Sequence, residues 1–463
     1  MRILYFNWVP SRAFSCDGGG VSVYQRNLLS YFATQKGTEI YYLTTSYAYD
    51  LFHQQPYIRE NNNSIIQGIQ EYEIVNSPIL APSFFSFNKV TDYFKYDRTV
   101  DLVDAFLSEH GPFDAIHFNN LEGISARILE LKKRYPHTKF IYSLHNYFPF
   151  CAQVNLWYRD KENCLDYKNG AKCKNCNLFP VDYNQMMFER SDFANLKHRK
   201  LSKLAGKIFS LCHKDTNFDQ NPDHQYRRRH YIDLINENVD LILCVSKRVR
   251  KIAIDMGLKA NKCRVQYIGT KHADYANQYP NIIHHDGNIV MGYLGYMRRD
   301  KGFYFLLDTL EMFPSDLSKY ISIKVAAPIT DNKAAERLIS LKTKFKSVEL
   351  FDGYKPEELH DILKNVNLGV VPVLWEDNLP QVALEFTAYG IPILSSNLGG
   401  AQELTMSNSF IFNAGDSYDF INKVSAILKN GDSLSTFWPD EKHKNILLSV
   451  NKHCEELLKI YEE

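Results

Sequence analysis

Short apolar runs alternate with longer stretches in which apolar residues recur every three or four positions, and this alternation persists along most of the chain. A run of four to six apolar residues bounded by Gly or polar positions reads as a strand buried on both faces; the wider spacing reads as a helix with one apolar stripe. In the first part this predicts strands at 2–7, 39–44, 115–118, 139–144, 241–245 and 264–267, with helices at 21–34, 123–135 and 247–256. The stretch 271–286 is polar, rich in His, Asn and Tyr, and without periodicity, so it reads as a linker. A second alternation follows, with strands at 289–294, 321–326, 348–351, 368–373 and 393–395 and helices at 303–312, 332–345, 356–363, 381–389 and 418–428. Strand–helix alternation marks parallel sheets covered by helices, so the expected fold class is α/β with two doubly wound, Rossmann-like domains facing a central cleft. The expected boundaries are 1–270 for the first domain, 271–286 for the linker and 287–440 for the second. A final helix within 441–463, after the break at Trp438-Pro439, is expected to pack back on the first domain.

Residues 147–231 belong to neither alternation, because a Cys-containing, turn-rich segment there gives way to a basic one; they read as an insertion at the mouth of the first domain. A length of 463 residues accommodates two domains and excludes a single small one. Fifty-four Lys plus Arg against 53 Asp plus Glu leave a net charge of +1, so no global field draws the chain to nucleic acid or an anionic membrane. The N-terminal MRILYFNWVP reads as a strand entering a loop, not as a signal peptide, and no window reaches the ~20 apolar residues of a membrane span. Nine Cys is an odd number, and Cys212, Cys244, Cys263 and Cys454 stand alone as buried thiols of a reducing compartment do, so a cytoplasmic protein is expected.

Three motifs could carry chemistry. Asp17-Gly18-Gly19-Gly20 lies between the first strand and the first helix, where glycine amides can approach an electron-rich ligand; a plain tight turn would accept the same residues. Gly295-Tyr-Met-Arg298-Arg299-Asp-Lys301-Gly302 follows the first strand of the second alternation, and cations at the carboxyl end of that strand suit a diphosphate. The third is Pro372-Val-Leu-Trp375-Glu-Asp377-Asn378-Leu379-Pro380-Gln-Val382-Ala-Leu-Glu385, followed by Gly399-Gly400-Ala-Gln-Glu403. Pro380 is expected in the first helical turn, with the amides around Leu379–Val382 facing a ligand and two carboxylates flanking one pocket. Carboxylates repel phosphate and accept vicinal hydroxyls well, so a ribose or hexose suits them.

In this order the motifs resemble those of the retaining GT-B glycosyltransferases of family four, over nearly the whole chain outside 150–229. The matches are Gly18, Gly19 and Gly20, then Ser143-Leu-His145-Asn146, the turn ending Lys301-Gly302, and Asp377-x7-Glu385 with the Gly-Gly turn after it. Tyr296 stands where that family has a phosphate-binding Arg, leaving Arg298 or Arg299 to supply the charge; Asp377 replaces a Glu and Asn146 an Asp. The resemblance implies an enzyme that takes a nucleotide-sugar donor as substrate and needs no catalytic metal. It implies that Glu385 binds the ribose, that Lys301 and a nearby Arg bind the diphosphate, and that Asp377 with the amides of Asn378, Leu379 and Val382 binds the hexose. His145 would lie over the sugar. The implied partner is a glycan or lipid-linked acceptor in cell-surface polysaccharide synthesis, such as lipopolysaccharide. A non-catalytic sugar-nucleotide or glycan-binding subunit, or a nucleotide-sugar epimerase of the same architecture, is the alternative.

Two features lie outside that resemblance. Cys151, Cys164, Cys173 and Cys176 cluster in one turn-rich stretch, and the Cys173-x2-Cys176 knuckle suits two ligands of a structural zinc; disulfides or buried thiols are the alternatives. Residues 186–229 carry Arg190, Lys197, Arg199, Lys200, Lys203, Lys207, Lys214 and Arg227-Arg228-Arg229 among apolar positions. This pattern is expected either to dock peripherally on the inner face of the plasma membrane, near a lipid-linked acceptor, or to be a solvated face.

Overall fold

The computed structural model describes every residue except 15–17, 46, 54, 84–86, 88, 165–169, 177–182, 192–203, 205, 209–210, 212–222, 276–286, 406, 436 and 438–445. Two large sheets organise it. The first is built from β1 (Arg2–Phe6), β2 (Glu39–Thr45), β3 (Tyr57–Glu60), β4 (Gln70–Val75), β5 (Ala115–Phe118), β6 (Lys139–Leu144), β9 (Leu241–Cys244) and β10 (Cys263–Val265), in the spatial order β10-β9-β6-β5-β1-β2-β4-β3. Its pairings are parallel except for the edge strand β3 against β4. A small hairpin, β7 (Trp157–Tyr158) with β8 (Glu162–Asn163), lies in the inserted segment. The second sheet contains β11 (Ile289–Leu294), β12 (Ile321–Ala327), β13 (Ser347–Asp352), β14 (Leu368–Val371), β15 (Ile393–Ser396) and β16 (Ile411–Phe412), in the order β13-β12-β11-β14-β15-β16.

Both orders reverse direction once, between β1 and β5 in the first sheet and between β11 and β14 in the second. In a doubly wound sheet the loops diverge at such a point and leave a crevice at the carboxyl ends of the strands. The continuous apolar runs have their explanation here: Ile3, Leu4, Tyr5 and Phe6 are all fully buried because helices cover both faces. In the second sheet, residues alternate between two cores. Met291, Ile323 and Val370 face the helices Phe303–Met312 and Ser417–Lys429, whereas Leu294, Ala326 and Val371 share a core with the helix Gln381–Ala388. That last helix sits close to the sheet because Gly292 and Gly369 leave room for Phe386; a Cβ on Gly369 would stand 2.5 Å from its ring.

Several elements differ from expectation. The helix expected over 123–135 is a 3-10 segment, Ala126–Lys133, and the one expected over 332–345 ends at Ser340 before a 3-10 turn. Strands β3 and β4 and the helix Arg98–His110 were not foreseen. Most of the expected linker and the start of the last helix lie outside the described residues. The helix Val450–Glu462 packs on the first sheet: the Tyr461 hydroxyl meets that of Tyr5 at 2.8 Å and the His117 ring nitrogen at 2.7 Å. Backbone pairing of Gly269 with Leu448 brings the chain across.

The basic segment is only partly described, and residues 192–203, 205, 209–210 and 212–222 lie outside what can be stated. Three of its arginines are not on a membrane-facing surface. Arg227 is 1% exposed, donates to the Phe148 carbonyl and lies 4.6 Å from the Phe148 ring centroid. Arg228 is buried on the Phe150 carbonyl, and Arg190 lies over the Tyr47 ring while donating to the Ala81 carbonyl. Guanidinium groups are weakly hydrated and stack on rings, so an aromatic pocket takes them inward where a lysine would stay in water. Among the described residues, no helix is long and apolar enough to cross a membrane.

Candidate functional site

The two reversal points meet across a cleft. A Cβ on Gly20, at the start of the helix Gly19–Phe32, would lie 3.5 Å from the Gln381 side chain, the first residue of the helix Gln381–Ala388. The Ser246 hydroxyl donates to the Asn378 carbonyl at 2.8 Å, and the charges of Glu376 and Asp377 act on the Tyr147 hydroxyl. Gly18 caps the Gly19–Phe32 helix at φ +79°, where a Cβ would stand 2.0 Å from the Ser22 hydroxyl; only glycine fits that turn.

On the second-half wall, the turn after β11 and the loop after β14 lock together. Gly302 has φ +74°, and a Cβ there would lie 1.7 Å from the Pro372 carbonyl oxygen. This contact sets Lys301 against Asp377, with Nζ to Oδ2 at 2.6 Å and the ammonium 5.0 Å from the Trp375 ring centroid. Asp377 is buried and Lys301 half-buried. The other two cations point elsewhere: Arg298 makes a two-pronged pair with Asp300 at 3.0 and 2.8 Å, and Arg299 lies 5.6 Å from the Tyr304 ring. Gly399 closes on the loop, since a Cβ there would meet the Asp377 carbonyl at 2.2 Å.

Pro380 is the cap of its helix rather than a residue of its first turn, so the helix begins at Gln381. The first amides of a helix have no partner within it, and Gln381 and Val382 at the start of this one are half-buried. Leu379 is buried, anchoring the loop in the core. Glu385, in the second turn, is buried, accepts the Tyr354 hydroxyl at 2.6 Å and lies 3.5 Å from His272 Nε2. Burial pushes its carboxyl up to about 7, against the opposing pull of the Tyr354 hydrogen bond.

The first-half wall is neutral around His145. His145 lies at the end of β6 with Nε2 3.2 Å from Asn119 Oδ1 and its ring 4.5 Å from that of Tyr24. Burial holds its imidazole down at about 3, with His453 adding to the effect, so it is uncharged at neutral pH. Tyr24 in turn meets His453 Nε2 at 2.9 Å. Asn119 Nδ2, the Tyr147 hydroxyl, Trp375 Nε1 and Asn378 Nδ2 are buried without a hydrogen-bond partner, among seventeen such side-chain atoms in the described residues.

Sequence reasoning thus placed Gly18–Gly20, His145, Lys301, Asp377, Asn378, Val382 and Glu385 around one cleft. It missed Asn119, Tyr147, Tyr354 and His272, which carry no motif of their own. It also missed a clasp beside the site: Arg248 Nε donates to Glu376 at 2.8 Å, and Glu403 accepts the Lys247 and Arg248 amides at 3.1 and 2.8 Å. The position of Glu403 three residues after the Gly-Gly turn was the available signal.

Residues 288–430 match the family model described as Glycosyl transferases group 1. A curated relative, an uncharacterized 42.6 kDa protein in the cps region of Klebsiella pneumoniae, is 22% identical over 295 residues, 63% of this chain. The match spans 59% of that relative's length. Among solved structures, HepE of Anabaena in complex with UDP aligns over 100% of both chains at TM-score 0.57 and 13% identity. Sucrose-phosphate synthase from Thermosynechococcus elongatus aligns over 100% of this chain and 98% of its own at TM-score 0.58 and 14% identity. A glycosyltransferase from Rickettsia africae aligns over 100% and 97% at TM-score 0.58 and 13% identity. The chain therefore has the α/β GT-B fold, and its second sheet with the Lys301–Asp377–Glu385 wall lies within a glycosyl transferases group 1 match.

Proposed function

We propose that the chain is a nucleotide-sugar-dependent glycosyltransferase that moves a hexose, with retention and without a catalytic metal, to a glycan or lipid-linked acceptor. The observation that carries this reading is the Lys301–Asp377 pair at the second reversal point, in the loop that leads into the helix bearing the buried Glu385. In this reading Glu385 holds the ribose diol, exchanging the Tyr354 hydroxyl for the ligand's own. Lys301 swings from Asp377 to the diphosphate and stabilises the charge that develops on it as the sugar leaves. Arg298 or Arg299 adds a second cation. Asp377, released, accepts sugar hydroxyls together with the amides at the start of the Gln381–Ala388 helix. The glycine turn Gly18–Gly20 closes the other side, and neutral His145 packs over the sugar. The leaving diphosphate takes the acceptor's proton on the same face, so no protein nucleophile is required. The family match over this half and the UDP in the HepE complex support the donor class.

The cps-region relative supports a role in surface-polysaccharide synthesis, for a protein working in the cytoplasm or peripherally on the inner membrane face. The test separates the two carboxylates. Glu385→Ala should weaken binding of nucleoside diphosphate and donor alike by about 1.5–3 kcal/mol in isothermal titration. Asp377→Ala should spare nucleoside diphosphate while lowering the initial rate of donor hydrolysis or transfer. Folded variants that both keep wild-type binding and rate would move the pocket elsewhere.

A further inference from the structure

The inserted segment gathers Cys151, Cys164, Cys173 and Cys176 around one small cavity, although they are spread over twenty-six residues of sequence. Cys173 lies within electrostatic reach of the other three, and none of the four is in a disulfide. The Cys173–Cys176 stretch is a 3-10 turn in which the Cys176 amide donates to the Cys173 carbonyl at 2.9 Å, a fold that turns both side chains to one side. The sulfurs already have donors. The Arg159 amide and the Gln153 side chain donate to Cys176, and Arg228 Nη2 stands 4.0 Å from Cys173 Sγ. Such N–H···S contacts are what surrounds thiolates bound to a metal, where they offset the negative charge.

The backbone around the cavity is held in an unusual state. Of the six non-glycine residues with positive φ among those described, four are Val154 (+63°), Leu156 (+53°), Arg159 (+53°) and Asp160 (+56°), all between Cys151 and Cys164. A β-branched Val in that region is an outlier, and a run of this kind persists only where the surroundings over-determine it. Leu156 is buried in the main core of the first half with Val154 packed against it, and its carbonyl accepts the Cys164 amide at 2.7 Å; Arg159 and Asp160 form the turn of the small hairpin, with Trp157 Nε1 3.1 Å from Asp160.

We propose that Cys151, Cys164, Cys173 and Cys176 together bind one structural zinc ion, which cross-links the inserted segment. The side chains as placed do not form the closed shell, since among the described residues no three His, Cys, Asp or Glu side chains stand at metal-ligand spacing. Binding therefore draws the thiols inward, and each of the four gives up its proton to solvent as its sulfur bonds the ion. The resulting complex carries two negative charges, for which Arg228 is the neighbouring counter-ion. Four thiolates leave no open position, so the ion takes no part in transfer.

Full-length protein purified without added metal should contain about one zinc per chain by elemental analysis. Titration with an organomercurial should release that zinc in step with four thiols. Replacing it with cobalt should give the intense visible bands of tetrahedral cobalt thiolate, a readout that needs no variant. Cys173→Ser with Cys176→Ser should lose the metal and become sensitive to protease within 150–180, while Cys244→Ser, a buried thiol elsewhere, should keep both metal and resistance. Metal-free protein with four reactive thiols, disulfides by mass, an iron–sulfur chromophore, or zinc retained in the double variant would each overturn the proposal.

Discussion

On the second-half wall of the cleft, an ammonium and two carboxylates stand on adjoining loops and one helix, with Lys301 on Asp377 at 2.6 Å and Glu385 in the second turn of the helix that follows. On the first-half wall, the corresponding positions hold a neutral imidazole, an asparagine and two tyrosines, and no charge faces the ligand space from His145, Asn119, Tyr24 or Tyr147. Both walls come from the same topology, a doubly wound sheet reversing beside its first strand, so the fold did not dictate the difference. A wall with separable charges can grip a charged ligand and answer charge that develops on it. A neutral wall of rings and amides can exclude water and orient hydroxyls without repelling an anion. On the proposed function, affinity for the nucleotide should reside on the first of these walls and orientation of the sugar and acceptor on the second.

Four experiments break or sharpen that contrast. The largest effect is expected from Lys301→Ala, which removes the cation directed at the leaving group and should lower kcat/KM for donor turnover by roughly 10²–10³. An unchanged rate would transfer the role to Arg298 or Arg299. Next is the pH dependence of nucleotide affinity. Because burial raises Glu385 to about 7, its carboxyl is protonated in the free protein below that pH, and ribose hydroxyls bind the ionised form. Affinity should therefore rise roughly tenfold from pH 6 to pH 8. Glu385→Gln should flatten this rise, which separates it from titration of the ligand's phosphate and of nearby His272. The same linkage has an opposite sign for stability. A carboxyl whose folded value lies above its unfolded one favours the fold at low pH, so ligand-free protein should lose stability as pH climbs from the ordinary carboxylate range through about 7. The smallest effect belongs to His145→Ala, which should leave nucleotide binding unchanged and reduce turnover by less than about tenfold. Equal losses in binding and turnover would place His145 on the nucleotide instead.

The sheets were legible because their strands are buried on both faces and so appear as unbroken apolar runs such as Ile3–Phe6. The edge strand β3 and its neighbour β4 were not, since Tyr57–Glu60 is half exposed and reads like a loop and Gln70–Val75 is broken by Glu71 and Glu73. Charged site residues were legible through the glycines that crowd them: Gly302 against Pro372 and Gly399 against Asp377 leave marks at fixed spacing. Their partners were not. Tyr354 and His272 reach Glu385 from a loop and a short helix far away in sequence, and nothing local to either residue announces the contact. Arg227 and Arg228 misled for a related reason, because one basic triplet was divided between an aromatic pocket and the surface by the rings of Tyr93, Phe148 and Tyr231.

The helix Val450–Glu462 completes the first sheet's core, placing Tyr461 on Tyr5 and His117, with Lys139 donating to the Ile460 carbonyl at 2.6 Å. During synthesis on the ribosome, β1 emerges more than four hundred residues before the helix that covers it. The second sheet, contiguous from β11 to β16, has all its strands in hand earlier. The half made first is therefore the half finished last, and until its closing helix arrives, the apolar surface around Tyr5 and Phe32 stays uncovered.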